Sequence, residues 1–402
     1  MEESIKLQQL LEGGEQEEEV RILIRSFLLR HASEFRPVAL VTSGGTTAPL
    51  EVNAVRYLDN FSTGTRGATS VEYLLSKGYA VVFLSRTQSA MPYTQHVQKY
   101  TPRLSDLFQL DDEPPTTTTT TTDDGEKEEV PSSNGRLRLN PKLVDNSHVQ
   151  RMVTEYQEAV MKEGRLICVH FTTVEEYLIK LKLCCELVEE ICGRLALLYL
   201  AAAVSDFYIP QNKKSIHKLQ SCGTLKLQMD PVPKCLKIIR DTWAPNAYCI
   251  SFKLETEPSL LFQKAKHAMN TYGVHMVIGN LLSTRYSKVW ILTHNQNHEM
   301  KEITNHVPQH SNLQQPPLEE AIISHVVDTH FEYISNTNDT NEYLQKMTQH
   351  HLTLEQEKFK LQKEMVWKRI KELSYQVLGH AIGIGLSYYI SQLVQKRFYS
   401  LK

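Results

Sequence analysis

Apolar residues in this chain fall into two rhythms. Val38-Ala39-Leu40-Val41-Thr42 is a short run without alternation, the pattern of a strand buried on both faces of a parallel sheet. Ala68 to Lys77 then carries helical spacing, Gly78 stands where a left-handed stop is expected, and Tyr79-Ala80-Val81-Val82-Phe83-Leu84 predicts a second strand. Further runs predict strands at Leu166–Phe171, Ala196–Ala202, Tyr248–Phe252, Val274–Ile278 and Val289–Thr293. Strands and helices alternate from about residue 37 to 330, which predicts one α/β sheet domain.

Three segments stand outside that alternation. Residues 1–36 read as an acidic helical lead-in, with Val20, Ile22, Leu23, Ile24, Phe27 and Leu28 available to pack. Residues 111–135 join Asp111-Asp112-Glu113-Pro114-Pro115 to seven consecutive threonines and a second acidic run, a composition that predicts a disordered surface loop within the main domain, 37–335. Residues 336–402 read as a charged helical extension. Within it, Phe359, Met365, Val366, Ile370 and Leu373 are spaced for one helical face. The more apolar stretch Val377–Val394 carries Gly379, Gly383, Gly385 and several polar residues, and it reaches only the lower limit of a bilayer span. Membrane contact by that helix is therefore the less favoured expectation.

Composition narrows the function. The chain has 402 residues, 41% of them hydrophobic, and a net charge of -2, so it can bury a substantial core and has no bulk attraction to nucleic acid. A small-molecule role is favoured. Met1-Glu2-Glu3-Ser4 is acidic and precedes no apolar signal core, so a cytoplasmic location is expected. The 7 cysteines include no CxxC pair and are odd in number, which favours reduced, mostly buried thiols over a disulfide framework or a metal site.

Candidate chemistry sits behind the first strand. Ser43-Gly44-Gly45-Thr46 closes it, and Ser62-Thr63-Gly64-Thr65-Arg66-Gly67 opens the next helix. Glycines permit a tight turn and close backbone approach, while the free amides and positive dipole end of a helix favour a phosphate or carboxylate. Tyr199-Leu200-Ala201-Ala202-Ala203-Val204-Ser205-Asp206-Phe207 leaves room for a ligand at a strand's carboxyl end, although close helix-on-sheet packing would use the same alanines. Lys213, Lys214, Lys218 and Lys226, with Gly223, resemble a mobile lid that brings positive charge onto phosphates; a solvated face explains such lysines more plainly when they are taken alone.

Taken in order, Thr42-Ser43-Gly44-Gly45-Thr46, Arg56-Tyr57-Leu58-Asp59-Asn60-Phe61-Ser62, Arg66-Gly67-Ala68-Thr69-Ser70, the alanine segment, His217-Lys218-Leu219-Gln220-Ser221 and Ile250-Ser251-Phe252-Lys253-Leu254-Glu255-Thr256 closely resemble the eukaryotic phosphopantothenoylcysteine synthetase family. The resemblance covers about residues 20–330. It implies a Rossmann-like, mostly parallel sheet flanked by helices, with a small dimerisation element and a homodimer whose active sites lie near the subunit contact. It also implies a ligase that joins 4'-phosphopantothenate to L-cysteine in coenzyme A biosynthesis through an acyl-adenylate, with ATP and Mg2+. Bacterial members use CTP and carry a flavin-dependent decarboxylase ahead of this domain, for which thirty-six leading residues leave no room. Only the ligase step is expected.

Residue by residue, the resemblance assigns Gly44, Ser62, Gly64 and Gly67 to the nucleotide phosphates and Asn60 to the acyl-nucleotide intermediate through its amide. Arg56 falls to the phosphopantothenate phosphate, Ala202 and Ala203 to the pantothenate arm by their backbone, and Asp206 to the nucleotide or its metal. Lys218 matches a lid lysine, Phe252 and Asn280 line the base pocket, Lys266 contacts a phosphate, and metal ligands stay unassigned. Plainer roles exist: Asn60 as a turn residue, Arg56 in a surface ion pair, Phe252 in the core. An NADP-dependent Rossmann reductase is the competing enzyme class, since Arg86 after the second strand would tolerate a 2'-phosphate; the compact GxGxxG it needs is missing. A non-catalytic nucleotide-binding scaffold would have no need of Asn60 or the lid.

Overall fold

The computed structural model describes residues 15–110, 117–121, 127–131, 137–220, 223–293, 300–305 and 317–335. These lie in one compact unit, Met1–Asn338. The expected helical extension, with Val377–Val394, falls outside the described residues, as do residues 1–14, Ser221 and Cys222.

Eight strands make the central sheet: β1 (Val38–Ser43), β2 (Ala80–Arg86), β3 (Leu166–Phe171), β4 (Ala196–Leu200), β5 (Tyr248–Glu255), β6 (Met276–Leu281), β7 (Lys288–Thr293) and β8 (Lys301–Thr304). Across the sheet they run β3-β2-β1-β4-β5-β6-β7-β8. The first six are parallel, and β7 and β8 add antiparallel pairs at one edge. This is the doubly wound order, in which successive connections leave β1 in one direction and β4 in the other. β1 is buried at all six positions because it lies at that centre with helices on both sides.

The helices α1 (Glu15–Ala32), α2 (Thr65–Ser76), α3 (Val174–Cys192), α4 (Pro258–Tyr272) and α5 (Leu318–Ser335) divide between the faces. On one face Ala39, Val41, Phe83, Tyr199, Ile250 and Ile278 form a single core with Val71 and Leu74 of α2 and Ile322 and Val326 of α5. On the other, α1 packs on α3, burying Ile24 and Leu28 with Leu181, Cys184 and Val188, while α4 lies over β5 and β6. The lead-in helix is thereby a layer of the main domain. Burial pushes the thiols of Cys184, Cys192, Cys235 and Cys249 up to about 12, and all the described cysteines are free.

Some boundaries differ from expectation. β4 stops at Leu200, before the alanines, and β5 runs on to Glu255. β8, with its Lys301-Glu302 start, has the charge of an edge strand and gave no apolar signal. In the insert, Thr117–Thr121 pairs with Lys127–Pro131 as an antiparallel ribbon rather than lacking structure, since threonine's β-branching favours extended backbone even in a polar stretch. Its other residues through 136 lie outside those described. Among the described residues no helix is long and apolar enough to cross a membrane.

His330 of α5 ties the sheet's end to its cover. Its Nε2 donates to the Arg194 carbonyl at 3.1 Å, so its Nδ1 accepts from the Tyr79 hydroxyl at 2.8 Å, and the ring must be neutral. Burial lowers its pKa from 6.5 to about 4, and burial does the same for His31, which reaches the Gly164 carbonyl. The unfolded chain binds these protons near pH 6.5 and the folded chain only near 4, so this stability is complete above 6.5 and is lost as pH falls towards 4. For His330 the displacement corresponds to about 3 kcal/mol. Thermal denaturation should show Tm falling between pH 6.5 and 4, with a shallower fall in His330→Gln; parallel curves would refute this origin.

Candidate functional site

Ligands of doubly wound sheets bind where the connections diverge, outside the carboxyl ends of the strands. Here that point lies between β1 and β4, and the two loops leaving it are hydrogen-bonded to each other. Ala203 N–H donates to the Gly44 carbonyl at 2.8 Å, Thr46 N–H donates to the Ala203 carbonyl at 3.0 Å, and Ala202 N–H donates to Thr42 Oγ1 at 3.1 Å. The amides of both expected pantothenate-binding alanines are thus spent on the scaffold. The Ala202 carbonyl is the backbone group left for a ligand.

A hydrogen-bonded relay runs on from this crossing. Ser205 N–H donates to Thr46 Oγ1 at 2.8 Å, the Thr46 and Ser205 hydroxyls are hydrogen-bonded at 2.9 Å, and the Ser205 hydroxyl reaches two acceptors at 3.3 Å, Asn60 Oδ1 and the Thr46 carbonyl. Asn60 N–H also reaches the Thr46 carbonyl at 3.2 Å. The consequence is that the amide of Asn60 is oriented by its oxygen, and both protons of Nδ2 stay unspent on the described residues. An ordinary turn asparagine would use its oxygen on its own turn. Neither Thr46 nor Ser205 was singled out from the sequence, because the relay joins residues 159 apart.

The glycines have distinct jobs. Gly44 adopts φ 86°, and a Cβ there would stand 2.7 Å from Cβ of Arg86. A Cβ on Gly45 would collide with the carbonyl oxygen of Asn60, so this glycine lets the Asn60 backbone cross the loop. Gly64, φ 78°, caps α2, whose first N–H groups are free for an anion. Gly67 is buried, and its missing side chain accommodates Ser43, so it supplies close helix-to-strand packing while its N–H stays among the free first amides of α2. Ser62 and Thr63 line, with Thr65, Arg86, Ser89 and Gln95, a cleft of about 690 Å³ beside the start of α2. Arg86 itself is paired with Asp59.

Among the lid lysines, Lys213 is paired with Asp230 at 2.8 Å and Lys214, almost buried, with Glu175 at 2.7 Å. Lys218 and Lys226 are both exposed with no ion pair among the described residues, so their charges are available to a ligand, and Lys218 is the one in the segment docked against Arg56. Arg56 is held by Glu51, with Nη2 at 2.7 Å and Nε at 3.0 Å from Oε1. Asp206 is 73% exposed at the crevice mouth and is matched by Lys234 at 2.9 Å. Phe252 meets Tyr199 edge to face at 4.9 Å and is only partly buried against the core. Asn280 is nearly buried and spends no side-chain hydrogen bond on the described residues, while Lys266 is exposed on α4. Lys253, which follows Phe252, carries no assigned role from sequence; burial lowers its pKa, and Lys234 adds to the effect.

Residues 179–315 match the family model described as the DNA/pantothenate metabolism flavoprotein C-terminal domain. The chain is 36% identical over 322 residues to the phosphopantothenate–cysteine ligase of Homo sapiens, covering 78% of this chain and 92% of that protein. It belongs to the phosphopantothenate–cysteine ligase family. Phosphopantothenate–cysteine ligase 1 of Arabidopsis thaliana is 41% identical over 253 residues, 62% of this chain and 71% of that one. Among solved structures, a Cab2 mutant in complex with phosphopantothenate-cysteine superposes with a TM-score of 0.68 at 32% identity, covering 81% of this chain and 97% of that one. The doubly wound sheet is thus the family's fold, and the Asn60 relay lies in the segment that carried the resemblance.

Ser205→Ala would remove one link of the relay and leave Asn60 Oδ1 without its hydroxyl donor, a loss of about 1–2 kcal/mol in orienting Asn60. Steady-state kinetics should show kcat lowered roughly tenfold with KM changed little. Unaltered kcat would mean that Asn60 needs no such orientation.

Proposed function

We propose that this protein condenses 4'-phosphopantothenate with L-cysteine through an acyl-adenylate formed from ATP. The observation that carries the proposal is the Asn60 amide, oriented by Ser205 with its N–H groups uncommitted beside the free N-terminus of α2. A carboxylate oxygen of phosphopantothenate attacks the α-phosphorus of the nucleotide and pyrophosphate leaves. The amine of cysteine then attacks the acyl carbon, gives up a proton, and AMP departs with the carboxylate oxygen. Donors placed beforehand at the acyl-phosphate linkage lower the barrier because they need no reorganisation as charge shifts. Asn60 supplies such donors. Lys218 neutralises charge on the α-phosphate and the departing pyrophosphate, and Phe252 and Asn280 receive the base by stacking and hydrogen bonding.

Magnesium enters with the nucleotide as part of the substrate. Such an ion needs one or two carboxylates plus phosphate oxygens and water, and the exposed Asp206 fits that modest requirement. Bound there, it would screen the triphosphate charge.

A homodimer accounts for an exposed apolar surface beside the crevice. Val55, Tyr57, Leu58, Phe61, Phe207 and Ile216 are all exposed, Phe61 to 89%. These residues flank the ribbon Thr47–Pro49/Tyr57–Asp59, and a second copy covering them would shield the neighbourhood of Asn60 from water. Sedimentation should give a dimer, and Phe61→Glu should give a monomer; a monomeric wild type would end this part of the proposal.

Purified protein with ATP, phosphopantothenate and cysteine should release pyrophosphate and form the amide, with ATP preferred to CTP. Asn60→Asp and Lys218→Gln should each lower kcat at least tenfold, about 1.4 kcal/mol, with the fold intact by circular dichroism. Normal turnover in both variants would remove their assigned roles.

A further inference from the structure

Glu51 has no established part in the site, yet it is the most heavily committed carboxylate near it. Its side chain is 0% exposed. Oε2 accepts the backbone N–H groups of Arg56 at 3.1 Å and Val55 at 3.3 Å. Oε1 accepts Nε and Nη2 of Arg56 and the backbone N–H of Leu219 at 3.4 Å. Arg56 Nη2 closes the circuit by donating to the Leu219 carbonyl at 2.7 Å. On the other side of Lys218, Val52 N–H donates to the Ser215 carbonyl at 2.9 Å and Asn53 N–H to that of Ile216 at 3.2 Å. The lid is therefore clasped on both flanks of Lys218, and both clasps originate in the turn built on Glu51.

We propose that Glu51 is a positioning residue that, through Arg56 and Leu219, holds the lid segment so that Lys218 stays within reach of the nucleotide; the proposal rests on the assignment of Lys218 above. Burial acts to raise the carboxyl's pKa, and the Arg56 side chain and the backbone donors outweigh it, so the group stays below the usual carboxylate range and the clasp holds at neutral pH. Two of the guanidinium's nitrogens are thereby occupied, and Arg56 can offer a phosphate only what is left. A surface ion pair contributes little, but this one is anchored to a carboxylate removed from water.

Trypsin reads the clasp directly, because it cuts after Lys218. In the full-length protein, Glu51→Gln should speed cleavage of the Lys218–Leu219 bond at least tenfold, followed by mass spectrometry, with Tm within about 3 °C of wild type. Where that variant does not fold, Arg56→Lys should speed the same cut. In kinetics, Glu51→Gln should lower kcat at least tenfold with KM for ATP changed less than threefold, and adding it to Lys218→Gln should cost less than a further twofold. Unchanged cleavage, or losses that multiply in the double variant, would overturn the proposal. If Lys218→Gln alone keeps full turnover, the lid lysine's role fails while faster cleavage still establishes the clasp.

Discussion

The molecule's chemistry depends on the hydrogen-bonded crossing of two loops at the centre of the sheet. β1 and β4 are parallel neighbours whose chains depart in different directions, and the gap this opens would ordinarily expose unpaired backbone at their carboxyl ends. Here Gly44, Thr46 and Ala203 close part of it with two backbone bonds. The closure does two things together: it leaves a crevice with defined walls, and it carries Thr46 and Ser205 into a relay that ends on Asn60. Gly45 is required for the same reason, since only bare backbone lets the Asn60 strand pass over it. Scaffold and candidate site are therefore one network, in which Ser205 links the crossing to Asn60.

Charge is distributed by the same logic of prior commitment. A cation already held by a carboxylate is a structural part, whereas a cation with no partner is available to a ligand. Lys213, Lys214 and Arg56 belong to the first kind and Lys218 to the second. The distinction matters because the substrates bring several negative charges that must be met without a standing excess of positive charge; the chain's net charge is only -2. A lid whose segment around Lys218 is docked by its flanks meets that requirement.

Much of this was legible in the sequence. The apolar runs located seven of the eight sheet strands, because strands buried on both faces have little choice of composition. The glycine loop was legible for a similar reason, as its backbone tolerates little else. Contacts between distant residues were not. Glu51 lies 168 residues from Leu219 and reads from sequence as one more surface acid, and the packing of Ser43 against Gly67 is equally invisible there. β8 was missed because an edge strand half open to water needs no apolar run.

The most direct test is a crystal structure with a non-hydrolysable phosphopantothenoyl-adenylate analogue. The acyl-phosphate linkage should lie within hydrogen-bonding distance, about 3 Å, of Asn60 Nδ2, with Oδ1 still bound to Ser205. An analogue seated elsewhere, such as the cleft beside Arg86 and Ser89, or an Asn60 amide turned away from the linkage, would contradict it.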